Sequence, residues 1–393
     1  MTSFRRYGVR TALSGLGIVA ILAATACGTG DTGSEPTTAP ASPALMKALN
    51  DLVQNGFPGA QVTVDGPGGH RTVSAGAGDL ATGAPITDNS HVRIGSNTKT
   101  YVSTVLLQLV AEGKVELDAP VERYLPNVVR GNGNDGNRIT VRQLLQHTTG
   151  LPEYLAGGSP ELRAATGTPQ LEVLSDEIRR RTYTPEELVA IAMRMPPQYE
   201  PGARAVYTNT NYILLGMLIE KVTGRPLTEE ITTRILEPLH LRDTYFPAAD
   251  DTGIRGPHPA GYQQIDGKRT DFTESNVSWA GAAGAMIATP SDLNRFFTAL
   301  LTGKLLPPAL LEQMKQTVPF DRMPESGYGL GLIRHNVSCG KEVWGHGGSI
   351  PGFGTRTGVL TDGTAVVLTV NQLPVDQATD ALEAKAFDAA ICG

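Results

Sequence analysis

The chain has 393 residues, 40% of them hydrophobic and 18% charged, with a formal net charge of −6. That hydrophobic content supports one large packed domain or a few small ones and excludes wholesale disorder. A mildly acidic chain without a basic block excludes nucleic acid as a partner, and three cysteines exclude a disulfide-rich miniprotein.

Arg5, Arg6 and Arg10 precede a run of apolar and small residues from Ala12 to Ala26. The run is shorter than the about 20 residues a membrane-crossing helix needs. It ends in Ala24-Thr25-Ala26-Cys27-Gly28, which resembles a bacterial lipobox, where cleavage before the cysteine leaves a thiol that carries lipid. Residues 1–26 are therefore read as a lipoprotein signal peptide and Cys27 as the lipid attachment site. The Thr/Ser/Pro/Gly/Ala stretch over 27–43 reads as a flexible tether. The expected location is the outer side of the cell membrane, facing the cell wall, with plain secretion as the alternative.

In chain order, a short helix is expected from Pro43 to Asn55, then a hairpin of Gln61–Val64 and Arg71–Ala75 around Pro67-Gly68-Gly69. Val102, Val105, Leu106, Leu109 and Val110 recur at three- and four-residue spacing and predict a helix from Ser96 to about Glu112, stopped by Gly113. The middle, 118–275, is mostly helical pattern joined by Pro/Gly loops. Thr140 opens Val141–Gln146, Thr184 caps a helix begun by Pro185, and Asn211–Val222 ends at Gly224. Thr289-Pro290 opens a helix running through Leu301. Tyr328–Ile333, Glu342–Trp344, Thr355–Leu360 and Ala365–Val370 read as strands, the last two joined by an Asp362-Gly363 turn, and Gln377–Ile391 as a final helix. The expected fold is α/β (α+β): an antiparallel sheet flanked by helices, built from 44–117 and 276–393, with an all-helical domain over 118–275 inserted between them.

Phosphate-loop, zinc-helix, C-x-x-C and nucleophile-elbow patterns are absent. Ser96-Asn97-Thr98-Lys99 is an S-x-x-K. A serine hydroxyl is a weak nucleophile and needs a base beside it, and on a helix the i and i+3 side chains share a face. The Ser96 N–H at the helix start has no intrahelical acceptor and can face a developing oxyanion. Ser338-Cys339-Gly340-Lys341 matches the same pattern but opens no helix and reads as incidental. Tyr207-Thr208-Asn209 is the only Y-x-N and His346-Gly347-Gly348 the only H-x-G. A Tyr phenolate, or Tyr coupled to Lys99, can move the serine proton, Asn209 can bond Lys99 and a substrate amide, and the Ser349 N–H can be a second oxyanion donor.

The ordered set S-x-x-K, Y-x-N, H-x-G resembles the penicillin-recognising serine hydrolases, in the branch of class C β-lactamases and D-alanyl-D-alanine carboxypeptidases, including the secreted streptomycete carboxypeptidase. Arg93–Lys99, Leu106–Val110, Ile139–Leu151, Tyr207–Tyr212, Gly216–Lys221 and Val277–Ala280 carry the likeness from about residue 45 onward. The resemblance implies Ser96 as nucleophile, Lys99 and Tyr207 sharing acid–base work, and His346 in the place of the lysine of a K-T-G motif. It implies substrate contacts from Asn209, Trp279, Gly348 and Ser349, and a structural His147. Which of Lys99 and Tyr207 deprotonates Ser96 stays open. The carboxypeptidase pattern departs here in two places. The third motif lacks one hydroxyl, and the arginine expected for a terminal carboxylate falls on Ile333, with Arg334 on the opposite strand face and Arg356 as another substitute.

With Cys27 lipidated, Cys339 and Cys392 remain as a pair in an oxidising compartment, and the resemblance extends to their disulfide. The implied activity is a D-alanyl-D-alanine carboxypeptidase-like, penicillin-binding serine hydrolase. An esterase or amide hydrolase, a β-lactamase, or an inactive penicillin- or peptidoglycan-binding lipoprotein are the rivals. The implied partners are a small peptide, ester or β-lactam substrate and the membrane through the lipid anchor. No cofactor or metal is implied, and the chain is expected to be a monomer.

Overall fold

The computed structural model describes residues 42–156, 170–320 and 326–393. The signal peptide, Cys27 and the tether up to residue 41 lie outside the described residues.

The Ser42 hydroxyl accepts from the Leu45 N–H and caps helix α1 (Pro43–Gln54), with Pro43 at the position where a missing N–H is harmless. Strands β1 (Gly59–Asp65) and β2 (Arg71–Gly76) form the hairpin. A 3-10 turn, Gly95–Asn97, leads into α2 (Thr98–Ala111). The middle holds α3 (Val141–Leu145), α4 (Pro185–Ala192) and α5 (Asn209–Thr223), each opened by a threonine whose hydroxyl accepts a backbone N–H of the first turn. It also holds three two-stranded ribbons: Arg130–Gly131 with Asn134–Asp135, Leu155–Ala156 with Leu171–Glu172, and Tyr262–Ile265 with Lys268–Asp271. Strands this short carry no readable two-residue period. The short helix α6 (Gly281–Gly284) and α7 (Pro290–Leu301) follow. After them come β3 (Val318–Pro319), β4 (Gly327–Tyr328), β5 (Ile333–Asn336), β6 (Glu342–Gly345), β7 (Gly347–Ile350), β8 (Phe353–Leu360), β9 (Ala365–Val370) and α8 (Gln377–Cys392).

Among the described residues nine strands make one antiparallel sheet in the order β3-β4-β5-β6-β8-β9-β1-β2, with β7 also on β8. β1 pairs with β9 from Ala60↔Val370 to Asp65↔Ala365, so segments some 300 residues apart share the sheet's interior. On one face α1 and α8 pack Leu45, Leu49, Leu52 and Phe387 onto Val366 and Leu368. On the other, residues of α2 and α7 such as Val102, Leu106 and Phe296 join Val359 and Val367 in the larger core. The Cys339–Cys392 disulfide, with Cα atoms 5.8 Å apart, ties the end of α8 to the β5–β6 turn.

Two local expectations change. Tyr328–Ile333 is not one strand: Gly331 at φ +80° turns the chain, the Gly329 N–H donates to the Leu332 carbonyl, and β4 folds back on β5 with Tyr328 opposite Ile333. The strand expected to close at Trp344 instead runs on. β7 keeps the register of β6 along β8, interrupted at His346, whose N–H donates to the Thr357 hydroxyl.

Candidate active site

Of residues 92–107, Ser96 alone is not buried. Its turn is pinned by the next residue. Asn97 Nδ2 donates to the Ile94 carbonyl (3.0 Å) and to Thr355 Oγ1 (2.8 Å), and its Oδ1 accepts from Thr357 Oγ1 (3.1 Å). Two hydroxyls of β8 thus hold the turn against the sheet.

Lys99, one turn along, is fully buried. Its Nζ lies 3.1 Å from Ser96 Oγ, 2.8 Å from Asn209 Oδ1 and 2.7 Å from the Ala283 carbonyl on α6. Asn209 cannot flip, because its Nδ2 and backbone N–H both donate to Glu153 Oε2, at 3.0 and 2.7 Å. Two lysine N–H bonds therefore go to oxygens that only accept. The position facing Ser96 Oγ holds a third N–H in the ammonium and a lone pair in the neutral amine.

The Tyr207 ring lies under Lys99 Nζ, 4.7 Å from the centroid, and packs tilted against the His147 ring, centroids 4.3 Å apart. It packs against the cluster of Phe320, Tyr328 and Ile333. His147 is buried and accepts at Nδ1 from the Thr208 N–H (3.3 Å) and Asn211 Nδ2 (3.0 Å). It fixes the start of α5, and with it Tyr207 and Asn209.

His346 is buried, with Nδ1 2.6 Å from the Gly347 carbonyl and Nε2 3.0 Å from Tyr328 Oη. Its ring centre stays 6.4 Å from that of Tyr207. Burial pushes its imidazole down to about 3, and the Lys99 charge adds to this. Strand β7 lies tight on the serine turn. A Cβ at Gly348 would stand 1.9 Å from the Ile94 carbonyl oxygen, and one at Gly95 (φ +50°) 2.8 Å from the Ser349 nitrogen. These two glycines let the Ser349 backbone nitrogen approach the turn that carries Ser96. Trp279 lies in the core, its carbonyl accepting from Tyr154 Oη (2.7 Å) and its indole N–H meeting no partner among the described residues.

Ile333 occupies the place of the expected arginine, packed in the cluster beside Tyr207. Arg334 pairs with Glu342 at 3.6 Å. Arg356 is no substitute, contrary to what the sequence allowed. It turns to the α8 face of the sheet, where Nε donates to Glu383 Oε2 (3.1 Å) and Nη2 to Asp380 Oδ1 (2.6 Å). The second S-x-x-K also lies elsewhere: Ser338 bonds Asp388, Cys339 is in the disulfide and Lys341 donates to the Ile391 carbonyl. Among the described residues no group of three His, Cys, Asp or Glu is placed to hold a metal ion.

The motifs do not announce Asn97, Glu153, Ala283 or Tyr328. Glu153 has a faint signal, an acid just past the Ile139–Leu151 segment. Ala283 acts through its carbonyl, which no side-chain pattern encodes.

The family model described as Beta-lactamase matches residues 43–390. The chain is similar to the solved structure of a D-stereospecific amidohydrolase from Streptomyces sp., at 41% identity over 90% of this chain and 99% of that one, with a TM-score of 0.79. It is also similar to a D-amino acid amidase from Ochrobactrum anthropi SV3, at 29% identity over 88% and 97%, with a TM-score of 0.72. Esterase EstB of Burkholderia gladioli is 31% identical over 188 residues, 47% of this chain and 46% of the esterase. The chain spans about half the length of the curated relatives it matches. With a Ser–Lys–Tyr constellation at the cleft and a family match over nearly the whole described body, the chain belongs to the β-lactamase and penicillin-binding family of serine hydrolases.

Proposed function

We propose that this enzyme hydrolyses amides and esters of small D-configured amino acids that bear a free amino group, through an acyl-enzyme on Ser96. The charge of the cleft carries the reading. The Glu153 carboxylate stands beside Asn209, one side chain from Lys99, while Ile333 stands where a carboxypeptidase of this branch is expected to bind a terminal carboxylate. A carboxylate and an apolar wall favour an ammonium and disfavour a free carboxylate. The likeness to the D-stereospecific amidohydrolase and the D-amino acid amidase supports the same substrate class.

When Lys99 gives up its third proton it keeps its two N–H bonds to Asn209 and Ala283 and takes the Ser96 proton on the freed lone pair as Oγ attacks the carbonyl. The oxyanion develops between the Ser96 and Ser349 N–H groups. Lys99, through Tyr207, returns the proton to the leaving amine, and water then cleaves the ester by the same path in reverse.

Turnover of D-phenylalanine amide, its N-acetyl derivative and an N-acyl-D-Ala-D-Ala peptide tests the reading. The free-amino amide is expected to lead in kcat/KM, and Glu153→Gln to erase most of its advantage over the acetylated form. Release of D-Ala from the peptide at a higher kcat/KM than amide turnover would restore the carboxypeptidase reading. The exported, lipid-anchored location belongs to this proposal and rests on Ala24–Gly28. Palmitate labelling that survives Cys27→Ala would refute it.

A further inference from the structure

Beneath the cleft runs a polar chain that the acyl-transfer steps do not use. It begins at a group that can only donate. The Leu151 N–H donates to Thr149 Oγ1 (3.1 Å), and that hydroxyl donates to Asn211 Oδ1 (2.8 Å). Asn211 Nδ2 then donates to His147 Nδ1 (3.0 Å), which also accepts the Thr208 N–H (3.3 Å). With Nδ1 accepting, His147 carries its proton on Nε2 and donates to Tyr328 Oη (3.2 Å). The chain ends at a group that can only accept, the Gly347 carbonyl, 2.6 Å from His346 Nδ1. Nδ1 must therefore bear the His346 hydrogen, so Nε2 is a lone pair and the Tyr328 hydroxyl donates to it (3.0 Å). Thr149, Asn211, His147, Tyr328 and His346 are all buried. The Thr208 N–H fixes His147 Nδ1 as an acceptor and the Gly347 carbonyl fixes His346 Nδ1 as a donor, so neither imidazole can change tautomer while these two contacts hold.

The relay joins the two walls of the cleft. On one side His147 packs tilted against Tyr207 and anchors α5, which carries Asn209. At the other the Gly347 carbonyl lies two residues from Ser349. We infer that Tyr328 and His346 are positioning residues: the relay locks His346 as the neutral Nδ1–H tautomer, and this tautomer holds β7 in register with the serine turn, with no proton carried by His346 during turnover. Burial keeps that imidazole neutral across the working pH range. The titratable groups around it are Lys99, Tyr207, His147 and Tyr328, and the first two remain the proton carriers. The inference rests on the acyl-enzyme reading above.

Asparagine places an N–H donor near the Nδ1 position of histidine, and glutamine near Nε2. His346→Asn is expected to keep kcat within about tenfold of wild type, and His346→Gln to lose roughly a hundredfold, the scale of a displaced oxyanion donor. Tyr328→Phe, which cuts the relay in the middle, should lower kcat roughly tenfold with KM little changed. The pH limbs of kcat/KM should stay in place in all three. Side-chain 15N NMR of the wild type should show His346 protonated at Nδ1, with the Nε2 resonance moving in Tyr328→Phe. Equal loss in the Asn and Gln variants, or disappearance of a pH limb in His346→Asn, would overturn the inference. So would an Nε2–H tautomer of His346. The NMR arm needs no substrate, so a wild type that never acylates Ser96 would sink the functional reading and leave the tautomer decided by itself. If Tyr328→Phe fails to fold, the Asn and Gln pair still decides.

Discussion

Strand β8 presents two different environments one residue apart. Thr355 and Thr357 point to the serine turn and hold Asn97 with neutral hydroxyl and amide contacts. Arg356, between them, points to α8 and is bound by Glu383 and Asp380. Neutral, directional bonds fix the nucleophile's turn without adding charge beside Lys99, whose protonation decides whether Ser96 can be activated. The charged cluster lies behind the sheet, where it anchors a covering helix. One strand thus separates activity from stability by side-chain alternation.

The largest expected effect that probes this division is Ser96→Ala: turnover should fall roughly 10⁴-fold or more with the melting temperature nearly unchanged. Retained turnover would place the nucleophile elsewhere. Next comes Gly348→Ala, whose methyl would stand 1.9 Å from the Ile94 carbonyl oxygen. It should push β7 off the turn and lower kcat by roughly 10²- to 10³-fold. Arg356→Met should do the reverse, lowering the melting temperature by several degrees while kcat/KM stays within about twofold. A comparable loss of kcat there would mean that the two faces are coupled. The smallest effect is a pH slope. Burial pushes the Glu383 carboxyl up to about 7 despite Arg356. The unfolded chain releases that proton near the ordinary carboxylate pKa and the folded one holds it longer. The contribution to stability is therefore full below the unfolded pKa and lost as pH rises through about 7. Thermal melts from pH 5 to 8 should show this decline, and Glu383→Gln should flatten it.

Much of the fold was legible because the capping threonines, the three- and four-residue apolar spacing and the Asp362-Gly363 turn are local signals that tertiary packing did not override. The β4–β5 reversal was hidden because Tyr328–Ile333 has the residue types of one strand, and only the left-handed Gly331 breaks it. β7 was hidden because His-Gly-Gly-Ser reads as a turn, and a glycine strand forms only where a neighbouring backbone demands close approach. Within the site, Ser96, Lys99, Tyr207, Asn209 and His346 could be singled out by motif. Their surroundings could not. Glu153 meets Asn209 across 56 residues and Ala283 meets Lys99 across 184, contacts that exist only once the chain has folded. Arg356 carries the right charge for a carboxylate, and only its strand face, turned to Glu383 and Asp380, takes it out of the site.

On the proposed mechanism Ser96, with Lys99 as its base, forms a covalent acyl-enzyme. Intact-mass and peptide mapping of acid-quenched enzyme, after incubation with a β-lactam and separately with a D-phenylalanine ester, test it most directly. A single added acyl mass is expected on the peptide bearing Ser96, absent from Ser96→Ala and greatly slowed in Lys99→Met. Ester turnover with no adduct on that peptide, or an adduct that persists in Ser96→Ala, would contradict it.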